Sequence, residues 1–363
     1  MRKNNFDHAP FYKKDAGFFM SATRATALDS FLRFTLALLG SVALTLLLSV
    51  GLLSRYQRAA ALPGRQPESA PSSLQYRLLD GQRVADGSPL DRRPFAAVID
   101  NRVESRPPAG LEDASIVYEV IVEGDITRLL ALFDADSQTE QIGPVRSLRP
   151  FFIDLAAEWD AVLFFAGGSP AALARVASGS FATVNEISGD GIYFWRDVSR
   201  FPPHNLYTSA ALMSRAAAAK QATSSAEFIA WQFKDGTPAA SSTALLAVPV
   251  RFAGNPLYRV EYRYNPETND YTRYQNNKVH KTSQGIVLKA GNVVVQHVTY
   301  DVLDEVGRLA IDLDRGGAAE IYQDGRQVNG FWQKINGRTR FYDQADREIS
   351  FNRGTVWVEL VFD

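Results

Sequence analysis

Residues 161–177 read AVLFFAGGSPAALARVA. The uncharged apolar run Ala161–Ala166 has the length of a buried strand, and Gly167-Gly168 ends it. Ser169-Pro170 then supplies two helix-start signals, a capping side chain and a proline at the first helical position. The spacing therefore predicts a helix over Ala171–Ala177. A strand that feeds a helix through a glycine turn belongs to a layered α/β or α+β fold.

The flanking sequence extends this pattern. Pro94–Asp100 reads as a buried strand ending in the polar pair Asp100-Asn101. Ala114–Val122 and Ile126–Phe133 read as a hairpin joined by Glu123-Gly124-Asp125. Apolar spacing at Phe151, Phe152, Leu155 and Ala156 predicts a helix over Pro150–Trp159, and Ser209–Ala222 reads as an alanine-rich one. Residues 76–235 are thus expected to form an α/β or α+β ligand-binding domain. Beyond it, short alternating strands and turns such as Asp324-Gly325 and Asn336-Gly337 predict a smaller, mostly antiparallel β domain over 245–363.

The chain has 363 residues, 46% of them hydrophobic, which is enough for a full core and about two domains. It contains no cysteine, which excludes disulfides, thiolate metal sites, cysteine nucleophiles and a lipidated cysteine. From residue 56 onward 32 basic side chains face 37 acidic ones, a poor match for a phosphate polymer, so no nucleic-acid partner is expected.

Residues 34–53, FTLALLGSVALTLLLSVGLL, carry no charge and lie between Arg33 and Arg55. As a helix they would span roughly 30 Å, the thickness of a bilayer's hydrocarbon core. Ala59-Ala60-Ala61 also offers a small-residue cleavage motif, although the apolar run is longer than that of a signal peptide. The expected plan is a cytoplasmic tail over 1–33, a single transmembrane helix over 34–53, a flexible Pro- and Ser-rich linker over 54–75, and extracytoplasmic domains beyond.

Chemistry-bearing residues gather at predicted strand ends and the turns after them. Asp100, Asn101 and Arg102 follow one strand, with Arg106 a further candidate ligand-binding residue; Glu119 and Glu123 lie on or just after the next, and Thr127 and Arg128 open its hairpin partner. Arg146 and Arg149, with Ser147 between them, start a helix, and Gly167, Gly168 and Ser169 precede another. Such positions collect anions, and arginine's planar fork suits phosphate or carboxylate. The competing reading pairs these arginines with Glu119, Glu123 or Asp154. Ser169 lacks the strained elbow of a nucleophile and reads as a cap. His204-Asn205, in a loop fixed by Pro202-Pro203, could orient a substrate or act as a general base. Asp100, Glu119, Glu123 and His204 are the candidate acid–base residues. No histidines are spaced for a shared metal and no cofactor is expected, although an oxygen-ligand Mg2+ on Asp100, Glu119 or Glu123 stays open. Tyr258, Tyr262, Tyr264, Tyr271 and Tyr274 read either as an aromatic platform for glycans or as packing.

Together, Asp100-Asn101, Arg106-Pro107, Tyr118-Glu119, Glu123-Gly124, Thr127-Arg128, Gly143-Pro-Val-Arg-Ser147, Gly167-Gly-Ser-Pro170, Phe194-Trp-Arg196 and Pro203-His-Asn-Leu-Tyr207 resemble the YerB-like bacterial envelope lipoproteins. The likeness continues through Asn292-Val-Val-Val-Gln296, Thr339-Arg-Phe-Tyr-Asp343 and Gly354-Thr-Val-Trp-Val358, and covers roughly residues 76–363. It implies an envelope location and two domains without an assigned activity. The apolar helix here stands where that family has a lipidated cysteine.

The order of elements around Asp100, Pro144-Val-Arg146 and Gly167-Gly168 is also similar to the LytR-CpsA-Psr phosphotransferases, which hold a polyprenyl pyrophosphate with arginines. This chain has Arg146-Ser147 where those enzymes have an Arg-Asp pair. Three functions are open: binding of an anionic glycan, peptide or lipid-linked precursor of the cell wall; phosphotransfer or hydrolysis; and an envelope scaffold.

Overall fold

The computed structural model describes residues 22–60, 75–84, 90, 92–240, 243–252 and 255–362. The expected tail over 1–33 and linker over 54–75 lie largely outside the described residues. The chain divides into two units near residue 72, and each is taken by itself. The first holds helix α1, Ala22–Ala60. Within it Arg33–Leu53 is long and apolar enough to cross a membrane, and it is the one such helix among the described residues. Its leucines from Leu36 to Leu53 are exposed.

The second unit is built on a ten-stranded mixed sheet. Its first half supplies β1 (Phe95–Asp100), β2 (Ile116–Val122), β3 (Ile126–Phe133), β4 (Val162–Phe165) and β5 (Thr183–Asn185). A smaller antiparallel sheet contains β6 (Ala247–Val250), β7 (Val260–Asn265) and β8 (Asp270–Gln275). The second half returns to the large sheet with β9 (Asn292–Val298), β10 (Gly317–Gln323), β11 (Arg326–Ile335), β12 (Arg338–Asp343) and β13 (Val356–Phe362). The order is β12-β11-β10-β9-β13-β2-β3-β1-β4-β5. The last strand therefore lies between the two halves, parallel to both β9 and β2. The boundary expected between residues 235 and 245 separates stretches of sequence that share one sheet.

Both faces of this sheet are covered, so its central strands are apolar throughout except where a polar partner awaits them. On one face α4 (Ala210–Ala219) and the small sheet pack through Met213, Ala216, Val248, Tyr262 and Tyr271. On the other, α2 (Pro150–Ala157) and α3 (Pro170–Ala177) bring Phe151, Phe152, Leu155 and Ala172 against Val98, Leu130 and Leu163. Burying each large side chain stabilises the fold by about 1.5–3 kcal/mol. Tyr258, Tyr262, Tyr264 and Tyr271 are buried in this packing.

Local signals did much of the shaping. Ser169 Oγ accepts from Ala172 N at 3.3 Å and caps α3, and Ser209 caps α4 in the same way. The β10–β11 and β11–β12 turns use Asp324-Gly325 and Asn336-Gly337, with both residues of each pair at positive φ, the backbone that two-residue hairpin loops require. Glu158, just past α2, accepts from Thr339 N (2.9 Å) and Thr339 Oγ1 (2.8 Å), tying the helical layer to β12.

Candidate functional site

Successive residues of a strand point to opposite faces. At one end of β1–β3 this alternation sorts the polar residues into two groups. Asp100 and Arg128 are cross-strand neighbours, and their parity places them on the α2/α3 face with Val98 and Leu130. Asn101, Glu119 and Thr127 take the other face, beneath the small sheet.

On the α2/α3 face, Pro144–Leu148 runs as an extended segment. Asp100 N donates to Pro144 O at 2.8 Å and Arg146 N to Val98 O at 2.9 Å, while Ala166 N donates to Arg146 O at 3.1 Å. Leu148 N then donates to Gly167 O at 2.9 Å. Gly167 has φ +63°, a backbone conformation that favours glycine, and the exposed tip of Ile187 lies over it. Arg146 was expected to open a helix; it sits in this extended segment instead, because backbone pairing to β1 claims it. Arg149 alone takes the position before α2.

These segments bring Asp100, Arg128, Arg146, Ser147, Arg149, Glu123 and His204 together. The Asp100 carboxylate is buried, with Oδ2 2.9 Å from Arg146 Nε and 2.6 Å from His204 Nδ1. The Arg146 contact is ionic and off-line for a hydrogen bond, and Asp100 is that guanidinium's sole partner among the described residues. Arg149 grips Glu123 with two parallel bonds of 2.5 and 2.7 Å. Burial pushes the Glu123 carboxyl up, but the Arg149 fork outweighs it and holds Glu123 below its ordinary value. Arg128 is 4% exposed. Its Nη1 donates to Ser147 O at 2.7 Å, and its buried Nε has no partner. Burial first, then repulsion from Arg149, pushes this guanidinium down to about 9. Three arginines here face two carboxylates, and an orphaned N–H within such a group is costly unless something else accepts from it.

The opposite face is closed. Glu119 is fully buried, and its Oε1 accepts from Asn101 Nδ2 at 3.0 Å and from Thr127 Oγ1 at 2.5 Å. Its Oε2 accepts from Arg273 of β8, which also contacts Tyr262 and His280. Glu359 of β13 lies beside Glu119 in register and accepts from the Tyr262 hydroxyl. Arg273 is fully buried, with its guanidinium 4.5 Å from the Trp357 ring. Burial, and then the Glu119 charge, raise Glu359 well above the carboxylate range. Burial lowers His280 well below the usual imidazole value. One guanidinium between two glutamates balances when Glu359 keeps its proton.

The remaining candidates serve their own surroundings. Arg106 donates to Asn101 O (3.1 and 3.0 Å) and Leu257 O (2.9 Å). Asn205 is buried and bonded to Arg196 and Asp197 O, which holds the 197–205 loop. Gly168 lies against Leu148 in a parallel bridge beside the Ser169 cap. Asp100, Glu119 and Glu123 each answer a different arginine, so these three carboxylates do not converge on a cation, and no cation-binding group of three occurs among the described residues.

Sequence reasoning missed Glu359 and Arg273, and it gave Tyr262 and His280 no part in a buried charge cluster. The signal was present: IVYEVIV and VWVELVF each place one glutamate at the centre of an apolar strand. A charge in that setting needs a buried counter-ion.

Two family descriptions match in succession: "Protein of unknown function (DUF3048) N-terminal domain" over residues 79–224 and its C-terminal counterpart over 248–358. The chain is 33% identical over 279 residues to the Bacillus subtilis (strain 168) protein described as "Putative lipoprotein YerB", spanning 75% of this chain and 82% of that one. The chain belongs to the YerB-like family. The crystal structure of YerB from Bacillus subtilis superposes with a TM-score of 0.72 at 30% identity, covering 79% of this chain and 96% of that one. YerB-like architecture thus accounts for the two-part, largely β organisation seen here. In it the two family segments meet at the β13–β2 pairing. The relative's description as a lipoprotein and the apolar helix of this chain both fit attachment to a membrane.

Proposed function

We propose that this protein is held at the cell membrane by residues 34–53, with its N-terminus cytoplasmic and its folded domain outside. There it binds an anionic envelope ligand, a glycan, peptide or lipid-linked precursor, through Arg128, Arg146 and Arg149. The observation that carries this reading is the imbalance on the α2/α3 face. Three guanidiniums are held by backbone pairing and a bidentate glutamate, and the buried Nε of Arg128 lacks an acceptor. A bound anion supplies that acceptor and offsets the repulsion among the arginines. The test is calorimetric titration of the full chain with inorganic pyrophosphate. Saturable binding is expected, with at least about tenfold loss in Arg146→Ala, the effect of about 1.4 kcal/mol. Equal binding by the variant would remove the site.

A second reading is favoured by one contact. Asp100 holds His204 through Nδ1 at 2.6 Å, the arrangement that orients an imidazole so that its other nitrogen can move a proton. On that reading the protein is a cell-wall phosphotransferase or hydrolase, and Arg146 holds the substrate's negative charge beside His204. Phosphate release from farnesyl pyrophosphate by the full chain, with and without Mg2+, is the assay. His204→Ala should abolish turnover while leaving pyrophosphate affinity within about twofold.

A further inference from the structure

Trp195 pairs with Tyr207, and Arg196 with Leu206, across a short antiparallel hairpin. The loop it carries is held by its own hydrogen bonds. Asp197 N donates to Asn205 O at 2.8 Å, and His204 N to Phe201 O at 3.0 Å. The Asp197 carboxylate accepts from Ser199 N (2.8 Å) and Ser199 Oγ (2.6 Å). From Val198 to Pro203 the sole charged residue is Arg200. Its guanidinium donates to Pro107 O (3.1 Å), Ser105 O (2.6 Å) and the Tyr207 hydroxyl, which fastens the loop to the 105–107 turn. What the loop presents to its surroundings is apolar: Val198 is 99% exposed, Phe201 is 88% exposed, and Pro202 and Pro203 are exposed as well.

Single exposed apolar residues are ordinary. Here two of them, with two prolines, crown a tethered loop whose own charges are already partnered. A stable protein interface needs about 800 Å² on each side, more than such a tip presents, whereas a bilayer takes up single apolar side chains. The chain itself calls for a bilayer, since Arg33–Leu53 is long and apolar enough to cross one. Trp195, stacked on Tyr207 with ring centroids 6.1 Å apart, stands at the base of the hairpin, as aromatic residues do at a membrane–water boundary. A second exposed apolar turn is less suited. Val302, Leu303 and Val306 share it with Asp301, Asp304 and Glu305 against Arg308, an acidic setting that anionic headgroups repel. We infer that the Val198–Pro203 tip docks on a lipid bilayer, with Val198 and Phe201 inserted among the upper acyl chains. The inference rests on the membrane attachment proposed above and adds a contact made by the folded domain.

The chain has no cysteine, so one introduced thiol carries a bimane label without background. Val198→Cys, Val306→Cys and Ser41→Cys, each in the full chain, place that label on the tip, on the acidic turn and within the apolar helix. The labelled chains are reconstituted into vesicles of phosphatidylethanolamine and phosphatidylglycerol that contain lipid with a nitroxide on its acyl chain. Loss of fluorescence is expected at Ser41 and at Val198 and not at Val306, and adding Phe201→Ser to the Val198 reporter should restore it. Loss at Ser41 without loss at Val198 would overturn the docking tip and leave the membrane attachment standing. No loss at either would overturn both. Loss at Val198 that Val306 matches, or that Phe201→Ser leaves undiminished, would overturn the part given to this tip.

Discussion

Asp100 and Asn101 are neighbours in sequence, as are Thr127 and Arg128, yet each pair parts to opposite faces of one sheet and meets a different physics. On the small-sheet side, Glu119, Arg273, Glu359, Tyr262 and His280 lie in a dry, closed group balanced by a proton on Glu359. On the helical side, Arg128, Arg146 and Arg149 outnumber Asp100 and Glu123, and water reaches Arg146 and His204. The first group resembles the buried ion clusters that hold two parts of a fold in register. The second keeps an uncompensated charge, which a stability role does not call for. Burial of charge is therefore no mark of function by itself; what distinguishes the helical face is its excess of arginines over carboxylates and the access of water to Arg146 and His204.

Removing a charge on each face should break this comparison most sharply. Arg273→Met leaves two carboxylates in a closed interior and is expected to cost about 3–5 kcal/mol. Arg149→Met releases Glu123 toward solvent and should cost about 1–2 kcal/mol. Denaturant unfolding of the two variants measures both, and similar losses would contradict the contrast.

Protonation sharpens it further. A carboxyl raised by folding, as Glu359 is, keeps its proton in the fold where the unfolded chain has lost it. Its contribution is fully present below the unfolded value of about 4.5 and is lost as pH rises toward the folded one. Glu359→Gln should therefore match the parent near pH 4.5 and become relatively more stable as pH increases. Thermal unfolding across pH 5–9 shows this as a flatter profile. The smallest effect is expected at Ser169→Ala, where losing the cap costs about 1 kcal/mol and pyrophosphate affinity stays within about twofold.

Several of these features were legible because local rules decide them. The Glu123-Gly124-Asp125 connection, the Ser169 cap and the 161–177 strand and helix follow from turn chemistry and periodicity. The crowding of Arg146 and Arg149 beside the end of a strand was visible as well. What stayed hidden depends on distant register. Nothing near Glu119 announces that Glu359 will lie beside it, or that Arg273 will reach it from β8. The insertion of β13 between β9 and β2 likewise joins halves that read as separate in sequence. Parity supplied the remaining distinction: Asp100 and Asn101 look like one polar pair until the strand's alternation sends them apart.

The central claim is that the anion meets the arginines of one face only. It is tested most directly by following the Nε–H resonances of arginine side chains in the full chain during titration with inorganic pyrophosphate. Saturable shifts at Arg128, Arg146 and Arg149, with Arg273 unmoved, are expected. Unmoved resonances at all three, or an equal response from Arg273, would contradict the account.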